Sequence, residues 1–283
     1  MTFILDGGWG TQLQQRGLGL GECPDLWNLS HPEKVKEVAD AYIEAGSDII
    51  LTNTFGANRL TLAKHDAGHN DLTEQIARVN RAGVRISLEA AKTKNRKVFA
   101  SVGPTGIVLM MGSTSPDEVY AAFLEQVRAA AAEHPDGIVI ETMSDTAEAV
   151  LAVKAAKTTG LPVAVTMVFD SGKNKDRTMM GTTPEQAVEQ LTAAGADIIG
   201  SNCGQGIEGF IPICKRMRAV TKLPLWMKAN AGLPEAVGDK TVYHQTPEKF
   251  AEAAKELIAA GADYIGGCCG TTPEYIRSLR RNN

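Results

Sequence analysis

Two adjacent cysteines, Cys268 and Cys269, lie among three glycines in the segment ADYIGGCCG (262–270). A third cysteine, Cys203, lies near the end of the similar segment QLTAAGADIIGSNCG (190–204). Three thiolates that converge would form an all-cysteine zinc site with one coordination position open. Thiolates are soft ligands and favour zinc over magnesium or manganese. Neighbouring strand residues point to opposite faces, so both Cys268 and Cys269 can reach one ion only where glycines let the backbone twist.

The alternative for these cysteines is a packing role, because free cysteine is a common buried residue. We assign that role to Cys23 and Cys214, since neither lies at the end of a predicted strand. A disulfide between Cys268 and Cys269 would be strained, and a reducing compartment would oppose it. Placement at strand ends therefore favours metal binding for the other three cysteines.

The elements that must position these cysteines repeat along the chain. Segments 42–56, 190–204 and 256–270 each read as a helix end, a small-residue turn, an apolar strand and a glycine-containing loop. Five further strands are predicted: FILDGG (3–8), KVFASVG (97–103), GIVIETM (137–143), PVAVTMVFD (162–170) and PLWMKAN (224–230). Strands that alternate with helices in this way predict a single α/β domain over residues 1–283, a (β/α)8 TIM barrel. The competitor is an open doubly wound sheet, but DGGWGT matches its glycine-rich phosphate turn poorly.

Three of the outer helices are predicted to begin at a capping box. In this motif a Ser or Thr and a Glu or Gln three residues later bond reciprocally to the backbone. The predicted boxes are Ser30–Glu33, Ser115–Glu118 and Thr183–Gln186, and Thr246 and Thr272 are weaker starts of the same kind.

Functional groups of a TIM barrel gather at the carboxyl ends of its strands. The three cysteines lie at such ends, and so do Asp6, Asn53, Glu141 and Asn230. An amino-acid substrate presents an ammonium group, which Asp6 and Glu141 could both accept. Its carboxylate could be held by Asn53, Asn230 and N–H groups of the glycine loops. The alternative is that Asp6 and Glu141 are structural acids that accept loop N–H groups.

An open three-thiolate zinc is suited to one kind of chemistry. The negative charge of three thiolates makes the zinc a weak Lewis acid toward water, so a soft fourth ligand fits better. A thiol that coordinates zinc loses its proton and becomes a nucleophile. The pattern therefore predicts a site that activates a substrate thiol, and no H-E-x-x-H motif supports hydrolysis.

The composition excludes several classes of protein. A net charge of −4 gives no electrostatic basis for binding nucleic acid or an anionic membrane. No apolar run approaches the roughly 20 residues of a membrane helix. The start MTFILDGG lacks a basic leader, so we expect no secretory signal and a cytoplasmic location.

The motifs resemble those of the homocysteine S-methyltransferase family, most closely the homocysteine-binding barrel of cobalamin-dependent methionine synthase. The matching segments lie between residues 4 and 276: ILDGGWGTQLQ, ILTNTFGAN, IVIETMSD, IGSNCGQG, KANAGLP and IGGCCGTTPEYI. The GGCCG element with a distant NCG is highly specific. The KANAGLP segment favours the methionine synthase branch over the betaine-dependent branch.

The resemblance implies methyl transfer onto homocysteine to give methionine. It implies that the three strand-end cysteines hold zinc and that the homocysteine sulfur is the fourth ligand. Asp6 and Glu141 match the family's positions that hold the substrate's amino group. Trp9 is a departure, because the family's first loop commonly has methionine there.

The methyl donor remains open between alternatives. The sequence contains no D-x-H-x-x-G cobalamin-binding motif, so a methylcobalamin donor is expected on a separate corrinoid protein that docks at the barrel mouth. A small onium donor such as betaine or S-methylmethionine should need an aromatic cage. The rings that could supply one are Trp9, Trp27, Phe55 and Tyr243. A third possibility is a non-catalytic zinc or thiol-sensing barrel, which would bind zinc or oxidants without methyl transfer.

Overall fold

Eight parallel strands form a nearly closed barrel in the computed structural model, which describes residues 2–65, 71–237 and 240–282. In chain order the strands are β1 (Phe3–Ile4), β2 (Ile49–Leu51), β3 (Lys97–Val102), β4 (Gly137–Met143), β5 (Val163–Met167), β6 (Ile198–Gly206), β7 (Leu225–Asn230), β8 (Glu235–Val237), β9 (Lys240–Val242) and β10 (Tyr264–Gly267). The barrel strands pair in the order β1-β10-β7-β6-β5-β4-β3-β2. This arrangement confirms the predicted (β/α)8 TIM barrel. Strands β8 and β9 form a separate antiparallel hairpin that the sequence analysis did not predict.

Helices connect consecutive barrel strands. They are α1 (Trp9–Gln15), α2 (Trp27–Ser30), α3 (Pro32–Ala45), α4 (Arg59–Leu62), α5 (Leu72–Lys92), α6 (Pro116–Ala131), α7 (Thr146–Lys157), α8 (Pro184–Ala193), α9 (Ile207–Val220), α10 (Pro247–Ala259) and α11 (Pro273–Asn282). Short 3-10 turns span Pro24–Leu26 and Leu109–Met111. Across the described ranges, every helix is too short or too polar to cross a membrane.

Two of the three predicted capping boxes are confirmed. The Ser115 side chain accepts the Glu118 N–H and Glu118 bonds back to Ser115 at the start of α6. Thr183 and Gln186 make the same reciprocal pair at the start of α8. Thr246 caps α10 through its side chain alone.

The predicted box at Ser30 is wrong. Ser30 is the last residue of α2, and the N-cap of α3 is His31, which makes no side-chain cap bond. The Ser30 hydroxyl donates instead to the Leu26 carbonyl at 3.3 Å. The chain passes from one helix almost directly into the next, so Ser30 closes a helix rather than opening one.

The seam between β1 and β2 is closed partly by side chains. Strand β1 has two residues, fewer than predicted, and a single backbone bond joins it to the start of β2, from Asp48 N–H to Ile4 O at 2.6 Å. The Asp48 carboxylate accepts the Ile4 N–H at 2.9 Å. Further up the seam, the Asp6 carboxylate accepts the Leu51 N–H at 2.7 Å. Asp6 thus completes the barrel where the backbone ladder ends.

The inward-facing strand residues are apolar at the bottom and polar toward the carboxyl ends. An apolar layer fills the lower interior and includes Leu5, Ile49, Leu51, Phe99, Val139, Ala164, Ile198 and Trp226. Strand side chains on one face recur every second residue. The next inward positions are therefore Ser101, Glu141, Thr166 and Lys228, and all four are buried. This polar layer is the floor of the candidate site.

Candidate active site

The thiols of Cys203, Cys268 and Cys269 converge at the carboxyl ends of β6 and β10. Their sulfur atoms lie within 4.8 Å of one another, and the Cys203 and Cys269 sulfurs are 3.8 Å apart. A tetrahedral zinc with bonds of about 2.3 Å places its sulfur ligands roughly 3.8 Å apart. The donor set and its spacing therefore fit such an ion. Elsewhere in the described ranges, no other three ligating side chains cluster this closely.

A tight turn presents both adjacent cysteines to one point. Strand β10 ends at Gly267, and the Thr271 N–H then bonds to the Cys268 carbonyl at 3.1 Å. Gly270, the third residue of this turn, has a φ of 78°. A residue with a Cβ is disfavoured at that angle, and an added Cβ would lie 2.3 Å from the Tyr243 ring. The turn needs a glycine at this position. Because Cys268 and Cys269 lie in the turn and not in the strand, their side chains need not point to opposite faces.

Cys203 reaches the same point through an irregularity in β6. The pairing of β6 with β7 shifts register between Asn202 and Gly206. Cys203 itself has a φ of 62°, a left-handed conformation that is uncommon outside glycine. Strained backbone of this kind persists where the surrounding structure enforces it, and it clusters at functional sites.

A buried amide, Asn202, ties one cysteine to the neighbouring strands. Its Oδ1 accepts the Thr142 N–H at 2.7 Å and the Thr166 hydroxyl at 2.6 Å. Its Nδ2 donates to the Thr142 hydroxyl at 2.8 Å and lies 3.7 Å from the Cys268 sulfur. With these partners the amide has one fixed orientation, and it positions Cys268.

The thiols also influence one another's ionisation. Hydrogen bonds from Cys268 and Cys269 lower the pKa of the Cys203 thiol, and a bond from Asn230 adds to this effect. The same bonds raise the pKa of Cys268 and of Cys269. The three thiols therefore do not ionise independently.

The trio lies in the wall of a cavity of about 390 Å³. The wall also contains Glu141 and Lys228 from the polar floor, Trp9 from the first turn of α1 and Phe55 from the loop after β2. A cavity of this size accommodates a small amino acid together with part of a second molecule.

Asp6 is paired inside the protein. Its Oδ1 lies 2.5 Å from the Lys228 Nζ, and the two side chains are 0% and 2% exposed. Its Oδ2 accepts the Trp9 indole N–H and the Leu51 N–H, both at 2.7 Å. Both carboxylate oxygens thus have partners, which agrees with the alternative that Asp6 is a structural acid.

Glu141 has a different environment. Among the described residues, its one hydrogen bond comes from the Ser101 hydroxyl, which donates to Oε1 at 2.6 Å. Burial raises the pKa of Glu141, and the positive charge of Lys228 opposes that rise. Burial would lower the pKa of Lys228, but the carboxylates of Asp6 and Glu141 outweigh it and raise that pKa. Among the described residues, Glu141 thus keeps one carboxylate oxygen without a hydrogen-bond partner in the cavity wall.

The two asparagines predicted to hold a substrate carboxylate are engaged within the protein. The Asn53 amide donates to the Pro24 carbonyl at 2.7 Å and to Asn28 Oδ1 at 3.0 Å, so both of its N–H groups are used. The Asn230 Oδ1 accepts the Cys269 N–H at 3.1 Å. Asn230 therefore supports the cysteine trio directly.

The two remaining cysteines have the predicted packing role. Cys23 and Cys214 are 6% and 0% exposed, and both thiols are free. Burial raises the pKa of each thiol to about 12. Cys23 also borders the cavity, where its thiol lies 3.6 Å from an Asp25 carboxylate oxygen.

The sequence analysis gave no site role to Lys228 or Asn202, although both occupy strand ends. The signal for Lys228 was available, because it lies two residues after Trp226 on the same face of β7. Of the four rings considered for an aromatic cage, Trp9 and Phe55 line the cavity. Trp27 is buried against His31, and Tyr243 packs on Gly270.

Comparisons with known proteins agree with this geometry. The family profile described as homocysteine S-methyltransferase matches residues 3–282. Methionine synthases of Mycobacterium leprae and Mycobacterium tuberculosis are 30% and 29% identical over 98% of this chain. The chain spans only 24% of each of these relatives. The crystal structure of the metallated homocysteine methyltransferase MmuM from Escherichia coli has the same fold, with a TM-score of 0.81, 23% identity, and coverage of 100% of this chain and 96% of that one. The chain belongs to the homocysteine S-methyltransferase family.

Proposed function

We propose that this protein transfers a methyl group to the sulfur of homocysteine and forms methionine, with zinc held by Cys203, Cys268 and Cys269. The observation that carries the proposal is the convergence of three thiols within 4.8 Å in the wall of a cavity that also contains a buried carboxylate. Zinc bound there would take the substrate sulfur as its fourth ligand and make it a thiolate nucleophile at neutral pH.

The remaining residues position the substrate. Glu141 accepts the ammonium group of homocysteine, since it is buried in the cavity floor and, within the described residues, one of its oxygens makes no hydrogen bond. Asn202 and Asn230 hold the cysteines in place through their amide groups. The buried, largely apolar surroundings exclude water, which would otherwise compete for the methyl group.

For the methyl donor, we propose a methyl-corrinoid carried on a protein domain other than this barrel. A large carried cofactor needs an apolar surface around the cavity mouth. Several strongly exposed apolar side chains lie in loops that follow the barrel strands, and we call them the mouth patch: Leu20, Met110, Met111, Met179 and Leu233. Exposed apolar residues mark an interaction surface where they form one contiguous patch. The relatives that share this barrel are methionine synthases about four times its length, which leaves room in them for such a domain.

A small onium donor has less support from the cavity. Only Trp9 and Phe55 of the four candidate rings line the wall, and the Trp9 indole N–H is bonded to Asp6. A cage for a quaternary cation usually needs several aromatic faces around the charge.

The test is methionine formation by the zinc-loaded protein with L-homocysteine. Methylcobalamin, betaine and S-methylmethionine are supplied in parallel reactions. We expect methionine from methylcobalamin alone, absent in Cys268→Ala and retained in Cys214→Ala, a matched control in which a cysteine outside the site is replaced. Methionine from betaine or S-methylmethionine would overturn the corrinoid proposal, and methionine from no donor would overturn the proposed reaction.

We infer a cytoplasmic location from the chemistry of the site. All five cysteines are free thiols, and the trio must remain reduced to bind a metal. The cytoplasm keeps thiols reduced. Fractionation of cells with an antibody to the protein tests this location.

A further inference from the structure

The sulfur atoms of Cys268 and Cys269 each have a hydrogen-bond donor outside the cysteine trio. The amide Nδ2 of Asn202 lies 3.7 Å from the Cys268 sulfur. The Tyr243 hydroxyl donates to the Cys269 sulfur. The Tyr243 ring lies against Gly270, the residue that follows the two cysteines, so its hydroxyl is held beside them. The two donors belong to separate parts of the chain, β6 and the segment after β9.

Cys203 completes this pattern. Its sulfur accepts hydrogen bonds from the Gly204 N–H and from the Asn230 side chain. A hydrogen bond to a thiolate withdraws negative charge from the sulfur. The intrinsic nucleophilicity of a thiolate falls as its basicity falls. These donors should therefore make the three cysteine sulfurs weaker nucleophiles than thiolates without such bonds.

The proposed reaction needs this difference. With homocysteine bound, four thiolates would surround the zinc, and a methyl group could be transferred to any of them. The reacting sulfur would use a lone pair to form the S–CH3 bond, while the bond between methyl and donor breaks and its electron pair stays with the donor. On a cysteine, this step would leave a neutral thioether in place of a ligand thiolate and so damage the site. Burial does not prevent it, because all three cysteines are only partly buried.

We propose that Asn202 and Tyr243 direct methyl transfer to the substrate: their hydrogen bonds lower the reactivity of Cys268 and Cys269, so that the substrate sulfur reacts first. This inference rests on the proposed function. Both side chains act through the cysteines and are positioning residues. Partners of metal ligands commonly tune a metal site in this way.

Two variants each remove one donor. Tyr243→Phe keeps the ring against the turn and loses only the hydroxyl. Asn202→Asp keeps the oxygen that accepts the Thr142 N–H and the Thr166 hydroxyl, and it loses the amide N–H groups. The added negative charge of Asp would increase the reactivity of the nearby sulfur further, so Tyr243→Phe is the cleaner of the two variants.

The matched control is Tyr275→Phe. The Tyr275 hydroxyl donates to the Gln245 carbonyl, two residues after Tyr243 in the chain. This control removes a tyrosine hydroxyl that holds the same segment but leaves the bond to the Cys269 sulfur in place.

The experiment measures methylation of the cysteines in the zinc-loaded proteins. Methyl iodide, a small methyl donor, is added without homocysteine until fewer than one methyl group per chain has been transferred. Fragmentation mass spectrometry then assigns the methyl groups to individual cysteines, including the adjacent pair. Zinc analysis and thermal melting establish that each variant is folded and holds its metal.

We expect Tyr243→Phe to raise the methylation rate of Cys269 roughly 3- to 10-fold, the effect of losing one hydrogen bond to a charged sulfur. Asn202→Asp should raise the rate at Cys268 by at least as much. In each variant the other two cysteines should react as in the wild type, and Tyr275→Phe should leave all three rates unchanged.

Wild-type rates in both variants would overturn the inference. An equal rise at all three cysteines would also overturn it, because it would show a general opening of the site. If zinc-loaded variants still form methionine but their cysteine methylation rates are unchanged, only this inference fails. If the wild-type protein binds no zinc, the proposed function fails, and this inference fails with it.

Discussion

The two ends of the barrel use aspartate in different ways. At the amino ends of the strands, four aspartates make the same hydrogen bond, and we call this arrangement the repeated device. Each aspartate lies directly before a barrel strand, and its carboxylate accepts a backbone N–H near the start of the preceding barrel strand. The pairs are Asp48 with Ile4, Asp136 with Val98, Asp197 with Val163 and Asp263 with Leu225, at 2.8–2.9 Å. At the carboxyl ends, Asp6 also accepts a strand N–H, from Leu51, but its other oxygen pairs with a buried lysine.

The repeated device joins β1 to β2, β3 to β4, β5 to β6 and β7 to β10, so it recurs at every second strand. Three of its aspartates also carry a surface cation: Arg96 and Arg280 on Asp48, Lys157 on Asp197 and Arg218 on Asp263. Such exposed ion pairs contribute little, and the bonds to backbone N–H groups carry the stabilisation. The bottom of the barrel is regular because it only has to hold strands together.

The carboxyl ends of the strands are less regular. The buried charges there and the left-handed backbone at Cys203 and Thr142 each carry an energetic cost. The comparison teaches that irregularity in this molecule marks chemistry, whereas repetition marks stability. Changes at the two ends should therefore separate metal binding from folding.

The largest expected effect comes from a substitution at the carboxyl ends of the strands, where the cysteines lie. In Cys203→Ala, we expect bound zinc to be lost and methyl transfer to fall below detection, because two thiols cannot replace the three-sulfur site. The free energy of unfolding of the protein without added metal should change by less than about 1 kcal/mol, since Cys203 is not part of the apolar core. Metal analysis and urea denaturation measure the two quantities. A variant that keeps its zinc would contradict the assignment of the trio.

A substitution at the amino ends of the strands should lower stability and leave zinc binding unchanged. Asp197→Ala leaves the Val163 N–H without its partner, which should lower the free energy of unfolding by about 1–3 kcal/mol. Zinc content should stay at the wild-type level. The matched control is Asp40→Ala, which breaks an exposed pair with Lys36 and should cost only about 0.3–0.5 kcal/mol. Equal destabilisation by the two substitutions would show that the repeated device has no special role.

Helix caps give a smaller, local effect. Thr183→Ala removes the side-chain bond to the Gln186 N–H at the start of α8 and should cost about 1 kcal/mol. Ser30→Ala is the natural comparison, because the sequence pattern suggests a cap there and the structure shows none. We expect Ser30→Ala to be close to neutral in the same urea titration. If Ser30→Ala lowered the free energy of unfolding as much as Thr183→Ala does, Ser30 would have to be a helix cap after all.

The smallest expected effect concerns pH. Bonds from Arg216 lower the pKa of Glu185 to about 2, from an ordinary value of 4.5. A depressed carboxyl pKa stabilises the fold above the ordinary value, and the contribution disappears as pH falls toward 2. Because the pair is partly exposed, Arg216→Gln should cost less than about 1 kcal/mol at pH 7. The free energies of unfolding of Arg216→Gln and of the wild type should become more similar as the pH is lowered from 6 to 2. A difference that stays constant over this range would contradict the proposed cause.

The sequence predicts the architecture and the three cysteines because both depend on local signals. Apolar strands, small-residue turns and strand-end polar groups repeat clearly, as in the segment before Asn202 and Cys203. Lys228 could also have been placed, since its position follows from strand alternation after Trp226.

Other features depend on contacts between distant residues, and a single sequence does not show them. The pairing of Asp6 with Lys228 joins the first and seventh strands, 222 residues apart. The two oxygens of Asp6 have partners from three elements, and these contacts are visible only in three dimensions. Strands β8 and β9 have three residues each, too short for a periodic pattern.

The most direct test of the account is zinc X-ray absorption of the zinc-loaded protein before and after addition of L-homocysteine. Three sulfur neighbours at about 2.3 Å are expected for the protein alone, and four once homocysteine is bound. Selenohomocysteine in place of homocysteine should give a zinc–selenium contact, which identifies the added ligand as the substrate. A sulfur count that stays at three, with no zinc–selenium contact, would contradict the claim that this site activates the substrate thiol.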